Sequence, residues 1–201
     1  MAKITIRQQN TNSVIEDVAR SEIALESNAV YALPLEQWRT WDAMATNLPG
    51  TPATDDLGLV TGTLGTDFPS LQTGDLKTAG ATTRYAACTV TLPPEYEAGS
   101  TIKIRASAGM VTTISDGTAT IDFECYPSDE DATASADIVS TSAASINSLT
   151  FANKDFTVTG TNRNPGDQFQ IRVAIAVTDT ASGTAVIGCA AKVSLLLSVR
   201  G

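Results

Sequence analysis

Gln168-Phe169-Gln170-Ile171-Arg172-Val173-Ala174-Ile175-Ala176-Val177 alternates along its whole length. Phe169, Ile171, Val173, Ile175 and Val177 are apolar and bulky, and Gln168, Gln170 and Arg172 fall between them. A period of two puts one face of an extended chain into a core and the other into water. The stretch therefore predicts a strand. Asn164-Pro165-Gly166-Asp167 precedes it, with Pro and Gly at the two central positions of a type II turn.

The same grammar recurs on either side. Cys88, Val90 and Leu92 alternate with Ala87, Thr89 and Thr91, and Ile102, Ile104 and Ala106 with Lys103, Arg105 and Ser107. Ile121, Phe123 and Cys125 alternate with Asp122 and Glu124, and Phe156 and Val158 with Thr157 and Thr159. Near the end, Ile187, Cys189, Ala191, Val193, Leu195 and Leu197 are set against Gly188, Lys192, Ser194 and Ser198. Asp116-Gly117 and Ser182-Gly183 suit tight hairpins. Strands with one wet face imply antiparallel pairing. The fold class is thus all-β: an antiparallel, jelly-roll-like β-sandwich with its core over residues 84–201.

An internal echo supports two facing sheets. Gly99-Ser100-Thr101-Ile102-Lys103-Ile104-Arg105 matches Gly166-Asp167-Gln168-Phe169-Gln170-Ile171-Arg172 in pattern. Gly117-Thr118-Ala119-Thr120-Ile121 similarly echoes Gly183-Thr184-Ala185-Val186-Ile187. Two turn–strand–hairpin–strand units facing each other make a sandwich or jelly roll. Arg105 and Arg172 fall at equivalent points on the polar face, where Asp122 and Glu124 are the expected cross-strand partners.

The N-terminal part reads differently. Residues 1–30 hold only short apolar alternations, too little to fold alone, and read as an extended arm. Residues 31–83 read as a strand, a short helix and a Gly/Pro-rich connection. Pro34 starts the helix, which is expected over Leu35–Met44 with Trp38 and Trp41 on one face. Two readings of the tryptophans stand open: caps on the core, or aromatic anchors for a partner. Asp55, Asp56 and Asp67 in the connection match no calcium loop and read as solvated acids.

Composition narrows the function. The chain of 201 residues carries a net charge of −9 and no histidine. Nucleic-acid coats need clustered Lys and Arg, and anionic membranes need a basic face; neither is present. No apolar run approaches the roughly 20 residues that cross a bilayer. Residues 1–25 lack the order of a secretory signal, so folding in the cytoplasm is expected. The missing histidine removes the commonest general base and most transition-metal sites. Cys88, Cys125 and Cys189 read as buried free thiols, with one internal bridge as the alternative. Asp129-Glu130-Asp131 reads as a solvated loop. No enzyme, catalytic residue, cofactor or metal is expected.

Leu92-Pro93-Pro94-Glu95-Tyr96-Glu97-Ala98-Gly99 and Asn164–Arg172, with the strands that follow them, resemble the jelly-roll virion proteins of tailed bacteriophages. Head decoration (cement) proteins are among these. The likeness spans residues 84–200 and lies in strand and turn pattern. It implies a non-enzymatic structural protein that stabilises the head by protein–protein contacts. It further implies a homotrimer at the capsid surface of a virion, assembled in the host cytoplasm and bound to the major capsid protein or other virion proteins. Partner contacts are expected at Ile4, Ile6, Val14, Ile15, Trp38 and Trp41. The alternative is a sugar- or receptor-binding β-sandwich module of a phage tail or baseplate. Such a module displays aromatics on a sheet face, where the predicted strands offer few. A carboxylate enzyme acting on polysaccharide ranks third.

Overall fold

The computed structural model describes residues 6–7, 14–15, 26–78, 80–181 and 183–200. Its strands are β1 (Ile6–Arg7), β2 (Val14–Ile15), β3 (Glu26–Leu33), β4 (Gly58–Val60), β5 (Ser70–Gln72) and β6 (Gly80–Thr91). They continue with β7 (Ile102–Met110), β8 (Thr118–Pro127), β9 (Ala144–Ser145), β10 (Ala152–Val158), β11 (Gln168–Asp179) and β12 (Gly188–Arg200). β1 and β2 pair with each other. The remainder forms two antiparallel sheets, a larger one ordered β10-β7-β12-β5-β4 with β3 also on β12, and a smaller one ordered β6-β11-β8-β9.

Apart from β1, β2, β4 and β5, eight strands remain, and their pairing is nested. β3 pairs β12, β6 pairs β11, β7 pairs β10 and β8 pairs β9. First meets last, second meets seventh, and so on inward. A ribbon paired in this way and rolled up is a jelly roll.

The inward residues are those the alternation assigns. Phe169, Ile171, Val173, Ile175 and Val177 of β11 are all buried, as are Ile121, Phe123 and Cys125 of β8 and Ile102, Ile104 and Ala106 of β7. Phe123 sits at the centre, 5.0 Å from Phe156 across the sheets and 6.5 Å from Trp38. Each such ring stabilises the fold by about 1.5–3 kcal/mol through burial alone. Gly166 takes φ +91, as the third position of the Asn164–Asp167 turn requires.

Four local readings are corrected. The helix over Leu35–Met44 is only a 3-10 turn, Leu35–Gln37. Trp38 is already extended, and Arg39 exchanges two backbone hydrogen bonds with Ala87, at 2.8 and 3.0 Å. Pairing to the edge of β6 outcompetes a weakly nucleated helix. Asp116-Gly117 does not close a hairpin: the chain leaves β7 in the larger sheet and enters β8 in the smaller one. The chain likewise leaves β11 in the smaller sheet and enters β12 in the larger one, so both expected hairpins are inter-sheet crossings. Arg105 pairs with Asp155, its neighbour across β10, and not with Asp122. Finally, β12 bulges between Ala190 and Lys192. The extra residue shifts the phase, so Ala190 joins the core while Cys189, though 2% exposed, lies outside that cluster.

Residues 34–78 add β4 and β5 to the larger sheet and also seal an edge. Leu57 donates to the Tyr85 carbonyl at 2.8 Å, and Tyr85 donates to Asp55 at 2.7 Å. Together with Arg39 this covers the outer edge of β6. No described strand pairs with the outer edge of β3.

Candidate functional site

Large apolar side chains are exposed in the β7–β8 and β9–β10 connections (Val111, Ile114, Leu149 and Phe151), and two further surfaces carry side chains that the core does not use. The first follows β3 and the loop between β4 and β5. Leu64 is 99% exposed, Phe68 91% and Val30 64%. Phe68 overhangs a hollow of about 230 Å³ lined by Ala32, Leu35, Pro69 and Val193. Farther along β3, Val30 borders a second hollow of about 330 Å³ with Leu196 and Lys103. Large apolar groups so exposed mark a contact surface.

The second is the outer face of the smaller sheet, where residues stand in rows set by register. Thr89, Gln170 and Tyr126 form one row; Ala87, Arg172 and Glu124 the next; Tyr85, Ala174 and Asp122 the third. Arg172 Nε donates to Glu124 Oε2 at 2.5 Å. Its guanidinium carbon lies 5.0 Å from the Trp41 ring and 4.9 Å from the Tyr85 ring. Those rings are 5.2 Å apart, and Trp41 Nε1 donates to Asp55 at 3.0 Å. Arg172 is thus held by an ion pair and by two aromatic faces.

The electrostatics follow. The Arg172 hydrogen bond holds the Glu124 carboxyl below its usual range, and the Tyr126 hydroxyl adds to this. Burial pushes the Tyr126 phenol up, as does its bond to Glu124. Burial raises Asp122, with Glu124 and Asp137 adding like charge. Asp56 is also raised, first by burial and then by Asp42 and Asp55. In the loop after β8, the Thr133 hydroxyl and amide hold Asp131 low.

Two hollows open on this face. One of about 320 Å³ is lined by Thr89, Tyr126, Gln168, Gln170 and the loop from Asp131 to Ala134. The other, of about 200 Å³, is lined by Trp41, Met44, Ala87, Tyr126, Gln170 and Arg172. Tyr126 and Gln170 belong to both, so the two form one groove.

The expected contact residues are scattered. Ile4 lies outside the described residues. Ile6 pairs with Ile15, and Val14 with Arg7, in β1–β2. Trp38 is withdrawn as a partner anchor: at 1% exposure it is a core residue. Trp41 shares no helix face with it and lies on the sheet face instead, half-buried. Leu64, Phe68, Tyr85 and Tyr126 escape a reading by periodicity. Leu64 and Phe68 are apolar within a Gly- and Thr-rich loop, and the two tyrosines sit in the polar phase of their strands. Those are the signals that mark them.

Among the described residues no group of three His, Cys, Asp or Glu side chains is placed to hold a metal ion. No described helix is long and apolar enough to cross a membrane. Cys88, Cys125 and Cys189 are free and buried.

No family model matches the chain, and no curated protein matches it. Among solved structures it is similar to the CBM22-1 xylan-binding domain of Paenibacillus barcinonensis Xyn10C. That TM-score is 0.41 at 12% identity, over 86% of this chain and 94% of the other. It is also similar to infectious bursal disease virus Gx strain, with TM-score 0.36 and 14% identity over 99% of this chain. For the Gt strain the TM-score is 0.33 and the identity 12%. The chain spans 37% of each viral chain. At these values none of the likenesses carries an argument about function.

Proposed function

We propose that this chain is a non-enzymatic structural protein of a bacteriophage particle, a decoration protein that docks on the capsid through its N-terminal third. The observation carrying the reading is the exposure of Phe68 and Val30 beside hollows lined by other apolar side chains, with Leu64 exposed in the same loop as Phe68. Packing such groups against a partner recovers the burial they lack in the free molecule. The outer edge of β3, with which no described strand pairs, adds main-chain donors and acceptors to the same surface. The major capsid protein is the partner, and the docked form is a homotrimer.

The test is incorporation. The double variant Leu64→Ser, Phe68→Ser alters only exposed side chains, so it is expected to fold like the parent and to be lost from purified particles. Deletion of residues 1–25, which stops short of β3, probes the arm separately. Parental occupancy by the double variant overturns the docking surface.

A further inference from the structure

We propose that the groove on the outer face of the smaller sheet binds a short neutral oligosaccharide. This site is distinct from the docking surface and does not depend on it.

Sugars present a weakly apolar C–H face and a rim of hydroxyls, so they are recognised by aromatic rings beside fixed donors and acceptors. The groove has both. Tyr126 is half-buried and lines both hollows. Trp41 walls the second hollow. Gln170 is exposed, flanked in register by Thr89 and Tyr126, and offers an amide donor and acceptor at the shared point.

Preorganisation favours binding here. Arg172 is clamped by Glu124, Trp41 and Tyr85, so little side-chain freedom remains to be lost. Charge selects the class. Among the described residues lining the groove the one cation is Arg172, which Glu124 neutralises, and Asp131 adds a negative charge. An anionic sugar would meet repulsion without a free cation, whereas a neutral one meets only dipoles and rings.

The test is titration of the full chain with short oligomers of glucose, xylose, mannose, galactose and N-acetylglucosamine, and with polyuronate and sialylated oligomers as charged probes. Amide shifts in nuclear magnetic resonance spectra report the site. The expected result is binding of at least one neutral oligomer, with shifts at Tyr126, Gln170 and Arg172. Tyr126→Ala and, independently, Gln170→Ala should each weaken that binding about tenfold or more. Gln170 is exposed, so its variant remains informative if Tyr126→Ala unfolds the chain. Leu64→Ser, Phe68→Ser should leave the affinity unchanged. No binding by any neutral oligomer, preference for the charged probes, or shifts confined to another face overturns the proposal.

Discussion

Asp116 and Thr180, 64 residues apart in sequence, hold each other across one end of the roll: the Thr180 N–H and hydroxyl donate to the two Asp116 carboxylate oxygens at 2.7 and 2.6 Å. The two crossings from sheet to sheet are thereby fastened together. Those bonds hold the Asp116 carboxyl below its ordinary 3.8. A group lowered on folding contributes stability that is fully present above 3.8 and fades as pH falls through its folded value. Asp116→Ala is therefore expected to lower the melting temperature at neutral pH by a few degrees, and by much less in strong acid. Thermal melts of both proteins across that range measure it; an equal loss at both ends contradicts the clasp.

The Arg172–Glu124 pair makes a second prediction. Both side chains are partly exposed, so solvent screens the ion pair, and Glu124→Gln should cost about 0.2–1 kcal/mol. Because Glu124 is lowered, this loss should be full above its usual 4.5 and fade as pH falls through the lower folded value. Arg172→Ala also gives up two ring contacts and should cost about 1–2 kcal/mol. Denaturant titrations separate the two.

The core predicts a sharper contrast. Phe123→Ala, which empties the space between Trp38 and Phe156, should cost about 3–5 kcal/mol. Trp38→Ala belongs in the same range, because Trp38 is fully buried. Trp41→Ala, on the sheet face, should cost markedly less. If Trp38→Ala leaves stability intact, Trp38 is not the core residue described.

The thiols give an alkaline prediction. Burial pushes Cys88 and Cys125 up to about 12, and Cys189 to about 11, from an ordinary 9.0. Groups raised on folding support the native state below pH 9 and withdraw that support as pH climbs toward the folded values. The chain should lose stability across that window, and Cys88→Ala should flatten part of the slope. Near neutrality all three thiols should resist thiol reagents until the fold opens. Rapid labelling of the native protein contradicts this.

What was legible in the chain was the set of strands whose period runs unbroken. Phe169, Ile171, Val173, Ile175 and Val177 all fall inward, and Arg172 meets Glu124 as the polar phase requires. Legibility stopped where a distant partner decides. The segment after Gln37 became extended because Ala87 offers backbone groups that no local pattern reveals. Asp116-Gly117 carries turn chemistry, but nothing local says which sheet receives the next strand. The bulge at Ala191 inverted the phase of Cys189 against Val193, because alternation cannot register an inserted residue. The groove was half legible: Arg172 and Glu124 belong to visible strands, whereas Trp41 reaches them only through the pairing of Arg39 with Ala87.

Cryo-electron microscopy of phage particles purified from a host that expresses this chain shows directly whether and how it docks. The jelly roll is expected on the capsid exterior, with Leu64, Phe68 and the edge of β3 against the shell and the Tyr126 groove facing solvent. Particles that lack the chain, or hold it with Leu64 and Phe68 turned to solvent, would contradict that placement.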